Sequence, residues 1–307
     1  MIQELKNLIY GYESDFNGKI ISKGEWLKMI DEKMLKLKNG IEEKIEDFLQ
    51  NSDELKKFIN FRKNNFYDYS IRNTILIYKQ NPNATLVADL KKWNELGYRV
   101  KKGSRAISIL VPLVRNIIKD GKEKDEIYGY KPVSVFDKSQ VEATENAVEI
   151  PSIDVEMKSS KDFKYTPMKL YRAVKKCVEQ YAPIELKKTF YDDEVSGQTD
   201  GKTIYIKKSN NRIDMAAVMV HEFIHYNCHF DNKEKISKSR AEIEAELGTL
   251  IFGTHFDLDT SGTYKYLSSY RRGVDIEKSF EKVLGIMEQI IYGTKDKQGI
   301  QDIITTL

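Results

Sequence analysis

The 307-residue sequence predicts an α+β protein: a mixed α+β module followed by a mainly helical domain with a small sheet. Three observations carry that expectation. Apolar residues recur at helical spacing across residues 24 to 60. Alternating and β-branched runs follow between residues 98 and 136. The remainder returns to long apolar helical patterns around a His-Glu-x-x-His cluster.

Each element has a local cause. Leu27, Ile30, Met34 and Leu37, then Ile41, Ile45 and Leu49, are spaced to share one helix face. A second helix is expected over residues 70 to 80, stopped by Asn81-Pro82-Asn83, because the residue before proline is driven out of helical geometry. After a short helix around Leu90 to Leu96, Tyr98-Arg99-Val100 reads as a strand. Lys102-Gly103 turns into the run Ala106 to Pro112, and a polar hairpin near Asp120-Gly121 returns through Tyr128-Gly129-Tyr130 to Val133-Ser134-Val135-Phe136. A helix is expected from Met168 to Tyr181, and Thr203-Ile204-Tyr205-Ile206 is a strand. The last 45 residues read as helical, with Tyr266 and Tyr270 near their start. Residues 140 to 162 hold few apolar residues besides Val148, Ile150 and Ile153, as a linker does. The expected organisation is a helical extension (1–50), a first domain (51–140), a linker (141–162) and a second domain (163–307).

Composition narrows the function classes. Forty per cent apolar and 32% charged residues describe a soluble globular chain. No apolar run approaches a membrane span, and the first residues lack the basic-then-apolar form of a secretory signal, so no membrane partner is expected. Two cysteines, Cys177 and Cys228, are too few for a disulfide framework, and a reducing cytoplasm is the expected compartment. The net charge of +3 is uneven. Residues 51 to 115 carry 13 Lys/Arg against 5 Asp/Glu, interleaved with Phe61, Phe66, Tyr67, Tyr69, Tyr78, Trp93 and Tyr98. Cations that track phosphates beside rings that stack on bases suit a single-stranded nucleic acid, although solvated lysines and core aromatics produce the same composition.

The most specific chemistry lies in Val220-His221-Glu222-Phe223-Ile224-His225. Four residues apart on a helix, His221 and His225 project from one face and form two neutral ligands for zinc. Glu222 lies beside them as the general base. Asp214 is the expected N-cap, and Met215 to Val220 form an apolar approach. Catalytic zinc takes three protein ligands, so a third must lie downstream. In Ala241-Glu242-Ile243-Glu244-Ala245-Glu246, Glu242 and Glu246 share a face while Glu244 points away. One of the pair would bind the metal and the other would orient a histidine. Ser239-Arg240-Ala241-Glu242 also reads as a capping box, a purely structural use of Glu242. His229 is expected to cap the helix or meet solvent, and His255 to sit in a loop or the core.

Glu242, Ala245 and Glu246 resemble the E-x-x-A-D/N/E pattern of gluzincin-type peptidases, which implies Glu242 as ligand and Glu246 as the orienting carboxylate. In zincins the strand before the metal helix often supplies an edge for an extended peptide, an expectation that falls on Thr203–Ile206. The first half resembles the single-stranded-DNA-binding domain of ArdC-type antirestriction proteins and their LtrC-like relatives. The likeness rests on Phe66-Tyr67-Asp68-Tyr69-Ser70, Asn73, Leu76-Ile77, Gln80, Trp93, Val100-Lys101-Lys102-Gly103, Ile107, Val133 to Asp137 and Gln140. The second half is similar to the zincin-like peptidase domain fused to it. Tyr266-Leu267-Ser268-Ser269-Tyr270 resembles a tail segment that usually ends in tryptophan, so Tyr270 is a departure.

The resemblance covers roughly residues 50 to 295. It implies single-stranded DNA as a partner, with Tyr67, Tyr69, Arg72, Asn73, Gln80, Trp93, Lys101, Lys102 and Arg105 as contact residues. It also implies an unidentified peptide substrate and a role on a conjugative element. Zinc on His221, His225 and Glu242 would activate water, Glu222 would shuttle its proton, and Tyr266 is a possible oxyanion donor with helix packing as its alternative. Three readings stay open. The chain is a DNA-tethered metallopeptidase, a DNA-coating protection factor with a non-catalytic zinc domain, or a protease that cleaves a repressor.

Overall fold

The computed structural model describes residues 12–14, 20–66, 68–119, 122–150, 165–230, 237–260, 263 and 275–307. It is α+β, as the sequence predicts. The chain divides into two compact units: Met1–Lys44 with Phe61–Ile153, and Ile45–Asn60 with Asp154–Leu307.

In the first unit, strands β1 (Tyr12–Ser14) and β2 (Ile20–Ser22) pair antiparallel and lead into helix α1 (Lys23–Phe48). Helix α2 (Ser52–Asn65) follows a break at residues 49–51, where the Asn51 side chain accepts from the Glu54 N–H. One expected helical stretch is therefore two helices, and the unit division passes through both. Ser70 caps α3 (Ile71–Gln80) by accepting from the Asn73 N–H, one of the donors a helix start leaves open. Then come β3 (Val87–Asp89), α4 (Leu90–Glu95), β4 (Tyr98–Val100), the long ribbon β5 (Ile107–Lys119) and β6 (Lys122–Asp137), and β7 (Val141–Ala143). The sheet orders are β3-β6-β5 and β4-β7. Asp137 is buried and accepts from the Thr85, Leu86 and Ser139 N–H groups, so its charge is fully hydrogen-bonded. Trp93, Phe66, Ile75 and Ile77 form the core.

The second unit holds α5 (Pro167–Val178), strands β8 (Ile184–Lys187), β9 (Gly197–Thr199) and β10 (Ile204–Lys207), then α6 (Arg212–His229), α7 (Lys238–His255), α8 (Ile276–Tyr292) and α9 (Ile300–Thr306). The sheet order is β8-β10-β9, with β10 parallel to β8 and antiparallel to β9. The expected edge strand is thus central: Ile204–Lys207 is paired on both sides, because β9 occupies the side an incoming peptide would need. Helices α6 and α7 approach closely at Gly248, where a Cβ would lie 2.5 Å from Ile224 Cγ1. Phe223, Ile224, Leu247, Leu250, Phe280 and Met287 fill the core, and Phe48 stacks on Phe58 and Phe280.

Candidate metal centre

Helix α6 begins one residue after Asn211, whose side chain accepts from the Ile213 and Asp214 N–H groups. Asn211, not Asp214, is therefore the N-cap; an Asn oxygen reaches the second and third N–H groups just as an Asp oxygen would. Met215, Ala216, Met219, Val220, Phe223 and Ile224 bury the packed face, leaving His221 and His225 on a second face, one turn apart. Helix α7 starts after Ser237, which accepts from the Arg240 N–H. The Ser239–Glu242 capping box is consequently absent, and Glu242 lies in the second turn with its side chain directed at the two rings.

Three ligand atoms converge. His221 Nε2 and His225 Nε2 are 3.1 Å apart, and Glu242 Oε2 lies 3.6 Å from each. Donors placed about 2.1 Å from a tetrahedral ion stand about 3.4 Å from one another, so this triangle has the right size for zinc. Glu246 Oε1 is 3.6 Å from His221 Nδ1, the far side of that ring, where an orienting carboxylate belongs. Glu222 is 8% exposed and lines the same cleft of about 790 Å³ as His221, His225, Glu242, Glu246 and the strand Gly197–Thr199. Tyr266 lies outside the described residues.

The electrostatics fit a site built for a cation. Burial raises the Glu222 carboxyl to about 7, against the pull of His221 and with the push of Glu242. Burial and the neighbouring His221 lower His225 to about 4. Burial disfavours charge on His221 too, but a hydrogen bond to Glu242 and the charges of Glu222 and Glu246 outweigh it and raise its pKa. The hydrogen bond from His221 lowers Glu242, whereas burial raises Glu246. Carboxylates facing the two rings favour positive charge at this spot, which a bound ion would supply.

One histidine expectation changes, that for His229, and the other, a core position for His255, holds. His229 is largely buried rather than solvated: its Nδ1 is 2.9 Å from His225 Nδ1, and its Nε2 is 3.2 Å from Glu244 Oε2. Eight residues of helix rotate it away from His221, but four place it over His225. His255 ends α7 in the core, with Gln301 Nε2 2.7 Å from its Nε2. Strand β9 escaped the sequence reading, since Gly197-Gln198-Thr199 shows no apolar alternation.

The expected DNA-contact residues separate into two groups. Trp93 is fully buried with its indole N–H bonded to the Phe136 carbonyl, so it cannot stack on a base. The Asn73 amide clamps the Leu110 backbone in both directions at 2.8 Å, and the Gln80 amide does the same to Ser108 at 2.9 Å. All three are engaged within the fold: Trp93 is buried, and Asn73 and Gln80 hold the β5 backbone with their amides. Tyr69 is half-buried and bonds the Val87 carbonyl. Lys101, Lys102 and Arg105 are exposed beside the turn at Gly103, whose φ of 86° favours glycine. Arg72 lies 5.6 Å from the ring of Tyr130, and Arg115 5.6 Å from that of Tyr128. Both tyrosines are exposed on the β5–β6 ribbon, a pair the sequence reading passed over. Tyr67 lies outside the described residues.

Residues 29–156 match the family model of the N-terminal domain of the anti-restriction factor ArdC, so the chain carries an ArdC-type N-terminal domain. Across 286 residues it is 23% identical to an uncharacterised protein of Bacillus anthracis, pXO2-81. That match covers 80% of this chain and 48% of the relative, so the chain spans about half the length of the curated relative it matches. Two crystal structures of the antirestriction protein ArdC from plasmid R388 are also similar. The metal-free form has a TM-score of 0.42 at 17% identity, over 78% of this chain and 86% of that one. The Mn(II)-bound form has 0.41 at 14%, over 72% and 84%.

Proposed function

We propose that this chain is an antirestriction-type protein of a mobile element that joins a single-stranded-DNA-binding module to a zinc-dependent peptidase site. One observation carries the reading: two imidazole nitrogens and a carboxylate oxygen converge within 3.6 Å of one another beside a buried carboxyl.

His221, His225 and Glu242 would hold the ion, and Glu246 would fix the His221 ring. When bound, the ion supplies Lewis acidity and an acidified water. The chain's own part is proton transfer and placement. Glu222, with a carboxyl near 7, takes a proton from water at one oxygen and returns it to the departing amine nitrogen. A base is most effective with its pKa near the working pH. Strand β9 lines the cleft and, among the described residues, pairs only with β10, so an extended peptide can add along its other side. In the first unit, Lys101, Lys102 and Arg105 would meet phosphates, and the exposed Tyr128 and Tyr130 offer rings to bases.

Two measurements test this. Metal analysis of the purified chain should find about one zinc per chain, lost in His221→Ala. Glu222→Gln should keep the metal and cut peptide hydrolysis by at least 10²-fold, the low end for a general base. A metal-free wild type would remove the peptidase reading. If Glu222→Gln protected DNA from restriction as well as wild type, the chain would instead be a coating factor with a non-catalytic metal domain.

A further inference from the structure

Behind the metal triangle lies a second line of polar groups. Glu244 is fully buried, yet its two oxygens receive four donors. Arg240 Nε and Ser279 Oγ reach Oε1, each at 2.9 Å; Lys282 Nζ at 2.9 Å and His229 Nε2 at 3.2 Å reach Oε2. His229 in turn faces His225 through Nδ1 at 2.9 Å.

From this geometry we infer that His229 and Glu244 form a relay of positioning residues that fixes the tautomer of His225, leaving its Nε2 lone pair facing the metal position. The inference rests on the metal-centre reading above. A carboxylate only accepts, so His229 Nε2 carries the hydrogen. Neutral imidazole has one N–H, so His229 Nδ1 must accept. The hydrogen between the two rings then belongs to His225 Nδ1, and His225 Nε2 is bare. That nitrogen is the one 3.1 Å from His221 Nε2 and 3.6 Å from Glu242 Oε2.

The same residues invite a rival reading, since Cys228, His229 and Glu244 also bring ligand atoms together. A second ion does not suit them. All four lone-pair directions of Glu244 are taken, two cations stand at its oxygens, and burial pushes the Cys228 thiol up to about 11. The cluster instead serves the metal centre by orienting a ligand through its far nitrogen, a kind of support worth about 10–100-fold in metal affinity.

Long-range proton–nitrogen NMR on the metal-free full chain at neutral pH reads the tautomers directly. His225 should be protonated at Nδ1 and His229 at Nε2. In His229→Ala, His225 should shift toward the Nε2–H form, and zinc affinity should fall about 10–100-fold while the circular dichroism spectrum is unchanged. His229→Asn, which restores an acceptor oxygen, should recover part of that affinity. An Nε2–H tautomer at His225 in the wild type overturns the relay, as does a His229→Ala variant that binds zinc as tightly as wild type. Wild type that binds no zinc sinks the metal-centre reading, and the tautomer assignment still decides the relay.

Discussion

Gly197 shows how one residue governs the site. A Cβ there would lie 2.5 Å from Val218 Cγ1, 2.8 Å from Glu222 Cγ and 3.0 Å from Glu222 Oε1, closer than packed atoms tolerate. Gly197→Ala should therefore displace Glu222 and cost about 1–3 kcal/mol by overpacking, read by urea unfolding, and on the proposed peptidase reading hydrolysis should fall further than stability explains. Cys177 gives a pH test outside the candidate metal centre. Burial raises its thiol to about 12, with Lys297 opposing and Asp302 adding. The folded state holds that proton to higher pH than the unfolded chain. Its contribution to stability is thus complete below the unfolded pKa and is lost as pH climbs from about 9 toward 12. Thiol alkylation at pH 8.5 should accordingly be slow in the folded protein and fast in denaturant. At this scale the sequence shows the two candidate histidine ligands, because a four-residue spacing on a helix dictates a shared face. It hides the role of His229, which depends on a second helix delivering Glu244.

Among the elements, α3 and β5 illustrate a protected sheet edge. Strand β5 ends its sheet, and Asn73 and Gln80, seven residues apart and so on one helix face, offer their amides to Leu110 and Ser108 as a neighbouring strand would. Asn73→Ala should destabilise the fold by about 1–3 kcal/mol in chemical denaturation, because it strands two backbone groups of the buried Leu110. Gln80→Ala should cost less, since Ser108 is only partly buried and water can replace the amide. Long amphipathic helices such as α5 and α8 were legible from apolar spacing. The short strands β3, β7, β8 and β9 were not, although the equally short β4 and β10 were; β9, Gly-Gln-Thr, carries no apolar alternation and exists only through its partner β10.

For the whole molecule, charge and metal provide separate handles on the two units. If the basic turn tracks phosphates, a Lys101→Gln, Lys102→Gln variant should bind single-stranded oligonucleotides more weakly. Its plot of log affinity against log salt should be shallower by about 0.7 per lost phosphate contact. Zinc at a hundred times its dissociation constant should stabilise the fold by about 2.7 kcal/mol in thermal unfolding, and His221→Ala should abolish that gain. Among the described residues no helix is long and apolar enough to cross a membrane. The sequence by itself determined the α+β class, the helices and the His-Glu-x-x-His face, because these follow from spacing along the chain. Only the tertiary structure decided which carboxylate meets the imidazoles, which strand borders the cleft, and that Trp93, Asn73 and Gln80 serve the fold, because each depends on residues far apart in sequence meeting in space.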